Sequence, residues 1–134
     1  MTQPAADTAV RPAERVDKPW GHEEIFALVE GSYIGKLLFV SAGESLSLQY
    51  HRVKDETIAL VSGQVEIDLG TSADTLRTVI MSSGDSVHVL PGTLHRLRAV
   101  EDSVLVEAST ADSDWREDVV RLEDNYGRLG TTAP

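Results

Sequence analysis

The chain of 134 residues contains no cysteine. Disulfides, thiolate metal ligands and a cysteine nucleophile are therefore excluded together. No apolar run approaches the roughly 20 residues that a membrane-spanning helix needs. The opening MTQPAADTAVRPAER has neither the basic start nor the apolar stretch of a secretory signal. These absences lead us to expect a cytoplasmic protein with no membrane contact. Cations are scarce, with 12 Lys and Arg against 22 Asp and Glu and a formal charge of −10. So acidic a chain repels polyanions, which excludes nucleic acid as the main partner. A small anionic ligand responds instead to the charges immediately around it. There is no glycine-rich phosphate loop, and no serine stands in a defined relation to a His–Asp pair.

What is present is a run of short β-patterns with turn punctuation about every ten residues. Candidate strands cover 24–29, 32–40, 45–51, 56–61, 64–69, 75–81, 86–90, 95–100 and 103–109, and a short helix is expected within 112–120. Gly, Asp and Pro between them supply the backbone freedom of tight turns. The length suits one domain with a real core. The expected organisation is a flexible arm over 1–17, one all-β domain over 18–128 and a disordered tail over 129–134. Many short antiparallel strands at this spacing make a sandwich or a small barrel.

Four residues stand out for their chemistry. Gln49 and His51 are two apart on a strand and so share a face. Glu56 follows on the next strand, and His95 lies behind the Pro91-Gly92-Thr93 turn. An amide oxygen, two imidazoles and a carboxylate converging from three strands would hold one divalent ion. The donor set suits Zn, Mn, Co, Ni or Fe and is too nitrogen-rich for Ca.

Neighbouring residues extend this expectation. Lys54, two before Glu56, is the candidate base or proton shuttle, with a pKa lowered by an adjacent dication. Lys36 is a cation in an apolar strand, where burial requires an anion or a pocket. A phosphate or sugar contact is expected there. Glu107, an acid in an apolar strand, would accept a hydrogen bond from substrate or from a ligand histidine, or form a salt bridge to an arginine. In 45–51 the polar face is Ser45, Ser47, Gln49 and His51, and the apolar face is Leu46, Leu48 and Tyr50. If the polar face lines a pocket, the apolar face needs cover from the opposing sheet's neighbours, the N-terminal segment or a second subunit, and a homodimer is the preferred expectation. Trp20 is expected to plug one barrel end. His22 and His88 are read as ordinary polar residues. Asp118, Arg121 and Tyr126 are read as pins for the C-terminal segment.

The spacing Gly43-x5-Gln49-x-His51-x4-Glu56-x6-Gly63 resembles the first cupin motif, with Gln in the place of the usual first His. Gly84-x5-Leu90-x-Gly92-x2-His95 resembles the second, with Leu90 at the usual Pro and Ala99 at the usual Asn. Lys18-Pro19-Trp20-Gly21, Leu46 to His51, Arg96-Leu97 and Val120 to Arg128 further resemble the cupin domain of type II phosphomannose isomerases. The likeness runs over 18–128. It implies a cupin double-stranded β-helix, a jelly-roll barrel, here as a stand-alone domain. It also implies a metal-dependent aldose–ketose isomerase acting on mannose 6-phosphate or a related sugar, with Lys54 and Glu56 catalytic and Lys36, Glu107 and Arg96 contacting substrate. Strand alternation points Arg96 away from His95, against that last role. The competing expectations are another metal-dependent cupin enzyme (an oxygenase, lyase or epimerase) and a non-enzymatic sugar-binding cupin.

Overall fold

The computed structural model describes residues 9–129 and 131. The first eight residues of the expected arm, and residues 130 and 132–134 of the expected tail, lie outside the described residues. The strands are β1 (Glu14–Lys18), β2 (Gly21–Val29), β3 (Tyr33–Val40), β4 (Leu48–His51), β5 (Glu56–Ser62), β6 (Gln64–Gly70), β7 (Arg77–Ser82), β8 (Ser86–Val89), β9 (Leu94–Ala99), β10 (Ser103–Thr110) and β11 (Val119–Glu123). They form two antiparallel sheets, in the orders β1-β2-β3-β10-β5-β8 and β11-β4-β9-β6-β7. The all-β jelly roll implied by the cupin resemblance is what forms. No helix of the described residues is long and apolar enough to cross a membrane.

The core lies between the sheets at one end of the barrel. Leu60, Val65, Ile67 and Leu105 are at most 1% exposed, and Leu38, Ile58 and Leu97 join them. Alternation along β5, β6 and β10 supplies these inward positions. Each buried side chain of this size contributes about 1.5–3 kcal/mol of transfer free energy. Trp20 belongs to this cluster and also to the wall of the cavity above it, so it caps the core as expected.

Three expectations need correction. Residues 14–18 are not a flexible arm, because they form β1 and pair with β2 over their full length. Within 112–120 there is only a single 3-10 turn at Trp115–Glu117, after which the chain becomes β11 and pairs with β4. The alternation across 45–51 also fails. Regular strand begins only at Leu48, Ser45 makes an isolated bridge to Arg98, and Leu46 turns inward to the core and cavity. Leu48 is already 2% exposed within one chain, so the covered apolar face does not call for a second subunit.

Across the second sheet runs a polar network. Asp68 accepts hydrogen bonds from Arg98 at 2.6 Å, Thr78 at 2.7 Å and Arg96 at 3.2 Å, and Arg96 also donates to Glu123 at 2.9 Å. It ties β6, β7, β9 and β11 together. The Arg98 hydrogen bond, working against burial, holds the Asp68 carboxyl down at about 2 instead of 3.8. A folded-state pKa below the unfolded one contributes stability that is present above about pH 4 and lost as pH falls. Asp68→Asn is therefore expected to be less stable than the parent at neutral pH. The gap should close between pH 3.8 and about 2; a gap in urea midpoint that stays constant down to the acid limit would refute this.

Two turn glycines separate strain from steric clash. Gly63 (φ +98°) joins β5 to β6, and a Cβ there would lie 2.6 Å from the Asp102 carbonyl oxygen. Gly43 (φ +83°) has no atom within 4 Å of such a Cβ. Gly63→Ala carries both penalties and should destabilise by more than about 1 kcal/mol. Gly43→Ala carries only the backbone strain and should melt several degrees above Gly63→Ala. Equal melting temperatures would show that the contact at Asp102 and Ser103 relaxes freely.

Candidate metal centre

Three strands bring the candidate ligands together. His51 ends β4, Glu56 begins β5, and His95 is the second residue of β9. Each offers a ligand atom, and these atoms lie within 4.8 Å of one another. All three residues are buried. His51 Nε2 is 3.1 Å from Glu56 Oε2, yet Glu56 Oε2 has no hydrogen-bond partner among the described residues, and neither does His51 Nδ1. Orphaned buried polar atoms are costly unless something else satisfies them. A divalent cation would do so, and the residues present fit one.

His95 is already prepared for such a role. Its Nδ1 donates to the Thr93 carbonyl at 2.9 Å, which leaves Nε2 as the lone-pair nitrogen. Burial pushes its pKa below the ordinary value, assisted by the charge of Lys54 and by His51 and opposed by Glu56. The ring is therefore neutral near pH 7 and competent to ligate. Gln49 sits opposite His95 in the β4–β9 ladder. It is half-buried in the cavity wall, and its Oε1 accepts a hydrogen bond from Ser47 Oγ at 2.7 Å.

Beside the triad lies a buried ion pair. Lys54 Nζ is 2.7 Å from Glu107 Oε2 and 3.7 Å from Glu56 Oε2. Burial alone would push the Lys54 ammonium down, but Glu107 and Glu56 outweigh it and hold the pKa above its ordinary value. These carboxylates act against the lowering expected beside a dication. Burial likewise pushes the Glu107 carboxyl up, and Lys54 followed by Lys36 overrides it, so Glu107 stays ionised. Ser109 Oγ donates a further hydrogen bond to it at 3.0 Å. The loop carrying Lys54 is clamped by Asp118, whose carboxylate accepts the amides of Arg52 (3.2 Å), Val53 (3.1 Å) and Lys54 (2.9 Å).

A cavity of about 380 Å³ opens above this centre, and Gln49, His51, Lys54 and Glu107 form part of its wall. Lys36 also faces it, paired with Glu23 at 3.2 Å and 5.5 Å from the centre of the Trp115 ring. Arg96 does not: its guanidinium is spent on Asp68 and Glu123 outside the barrel, so the substrate contact expected of it is withdrawn. Arg121 moves the other way. Read as a pin, it does hold the C-terminal segment, through Nη1 to the Thr131 carbonyl at 2.9 Å, and it also lines the cavity opposite Gln49. Tyr126 is a pin, donating to Glu44. His22 stacks on Phe39, and His88 pairs with Asp55 at 2.6 Å, both away from the centre.

Lys18 and Arg128 join Arg121 in the cavity wall, where the sequence assigns no role to either. The Val16-x-Lys18 and Val119-x-Arg121 alternations were the available signal.

Residues 5–124 match the family model described as Mannose-6-phosphate isomerase C-terminal. The xanthan biosynthesis protein XanB of Xanthomonas campestris pv. campestris (strain B100) is 28% identical over 116 residues, 85% of this chain and 24% of XanB. The alginate biosynthesis protein AlgA of Pseudomonas putida is 29% identical over 118 residues, 87% of this chain and 23% of AlgA. The chain thus spans about a quarter of the length of the curated relatives it matches. Among solved structures, an RmlC-like cupin from Shewanella frigidimarina superposes with a TM-score of 0.62 at 15% identity, covering 74% of this chain and 84% of that one. The barrel is a cupin.

Removing one member of the buried ion pair strands the other. Lys54→Met leaves Glu56 and Glu107 without their shared cation and, in EDTA, should cost about 3–5 kcal/mol. Lys54→Met/Glu107→Gln should recover part of that. Urea unfolding of the three proteins measures it, and a Lys54→Met variant as stable as the parent would contradict the pairing.

Proposed function

Because the chain belongs to the mannose-6-phosphate isomerase C-terminal family, we propose that it catalyses aldose–ketose isomerisation of a phosphorylated sugar. Mannose 6-phosphate to fructose 6-phosphate, or a related pair, is the reaction proposed. The observation that carries this reading is the convergence of His51, Glu56 and His95 beside a Lys54–Glu107 pair, with His51, Lys54 and Glu107 in the wall of one cavity. His51, Glu56 and His95 would hold the ion, with Gln49 as a fourth ligand through Oε1. Zn, Mn, Co, Ni and Fe all suit these donors. When bound, such an ion polarises the sugar carbonyl and its neighbouring hydroxyl.

The chain's own groups divide the proton work. The reaction moves a proton from C2 to C1 and a second from O2 to O1. Lys54, held as an ammonium by Glu107 and Glu56, gives a proton to O1 as that oxygen gains negative charge and regains one from O2, so it is not the initial base. Glu107, ionised and in the cavity wall, accepts the C2 proton and returns it to C1. Glu56 acts as a ligand. Trp20 and Leu46 keep the inner end of the cavity apolar, which strengthens the charge interactions there.

Two measurements test this. Freshly purified protein should carry close to one divalent ion per chain by mass spectrometry, and His95→Ala should lose it. With the ion present, mannose 6-phosphate in D₂O should exchange its C2 proton by NMR. Lys54→Met and Glu107→Gln should each retain metal while turnover falls about 10²- to 10⁴-fold. No exchange with any of the candidate ions would refute the isomerase reading.

A further inference from the structure

Half of this chain's scarce cations face one cavity. Of the 12 Lys and Arg in the sequence, six line it, whereas only three of the 22 acids do. Lys54 is satisfied by Glu107 and Glu56, and Arg116 is drawn off to Glu30 at 3.0 Å. The remaining four are Lys18, Lys36, Arg121 and Arg128. Glu23 serves both lysines, at 3.8 Å from Lys18 and 3.2 Å from Lys36, and Asp124 serves Arg128 at 2.9 Å. Glu14 lies exposed on the rim and makes no ion pair with these four among the described residues. Four positive charges therefore meet two paired carboxylates.

The ladders explain why these cations face inward. Arg121 is directly opposite Gln49 in the β11–β4 pair. Directly opposed residues share a face, with Cβ atoms about 4.5–5.5 Å apart. Arg121 therefore stands beside a candidate metal ligand. Lys18 closes the β1–β2 ladder opposite Gly21, on the face that Val16 also gives to the cavity wall. Arg121 makes no salt bridge among the described residues; Nη1 donates to the Thr131 carbonyl, and Nε is buried without a hydrogen-bond partner. Burying a guanidinium atom beside other cations is unfavourable in itself.

We infer that Arg121 and Lys18, supported by Arg128 and Lys36, form a binding site for a dianionic phosphoryl group at the mouth of the cavity. Two uncompensated positive charges match a phosphate monoester dianion, and a guanidinium edge suits its oxygens. Burial, and then the charges of Lys36, Arg128 and Arg121 against the pull of Glu23, hold the Lys18 pKa below its ordinary value. An anion bound among these groups relieves that repulsion. Identifying the phosphate carrier as a sugar rests on the isomerase reading; the anion site does not.

The first experiment is calorimetric titration of the EDTA-treated protein with inorganic phosphate. Binding is expected, weakened about tenfold or more in Arg121→Met and in Lys18→Met, and unchanged in His95→Ala. Melting curves confirm that each variant is folded. Phosphate affinities equal to the parent's in both variants, no phosphate binding at all, or equal binding of acetate would overturn the proposal. The second is steady-state kinetics with metal-loaded protein. Arg121→Met should raise KM for mannose 6-phosphate by a similar factor while leaving kcat within a few-fold and not changing the response to mannose. Arg121-dependent phosphate binding without isomerisation would sink the isomerase reading alone. Isomerisation that ignores both substitutions would sink the anion site alone.

Discussion

The interior of this barrel depends on one buried ammonium. Lys54 lies between Glu107 and Glu56, and without it two buried carboxylates would be confined together. Charges that close in a low-dielectric setting cannot both stay ionised unless a cation joins them. Lys54 supplies the permanent part of that cation. A divalent ion at Glu56 would supply the rest. The geometry therefore stays assembled through the arrival and departure of an ion, because the protein keeps a positive charge of its own in place. Three residues share this burden, and β5, β10 and the Asp118 clamp hold Glu56, Glu107 and Lys54 in turn.

Much of this arrangement was legible in the sequence. Turn punctuation and strand spacing pointed to a β-sandwich or barrel, the two glycine-bounded motifs narrowed it to a jelly roll, and the two-residue spacing of Gln49 and His51 put both on the cavity face. The strands that escaped notice were β1 and β11, and for one physical reason. Their inward faces carry Lys18 and Arg121 alongside single valines, so neither displays the apolar alternation by which a half-buried strand is read. A functional face that is charged hides the strand that bears it.

Other misreadings trace to long-range partners. The salt bridge of Lys54 went unseen because Glu107 lies in a distant strand and reaches it only through sheet pairing. Local alternation gave the correct answer for Arg96, pointing it to the outer surface, where Asp68 and Glu123 take it up. Leu46 turned inward because regular strand starts three residues later than the pattern implied.

The Asp118 clamp also has a mechanical meaning. One carboxylate gathers three successive amides of the loop that carries Lys54, and it stands immediately before the strand that bears Val119 and Arg121. The cavity wall at Arg121 and the backbone at Lys54 are thereby fastened by a single rivet. Peeling Val119–Glu123 off the sheet edge would pull directly on the backbone of Lys54.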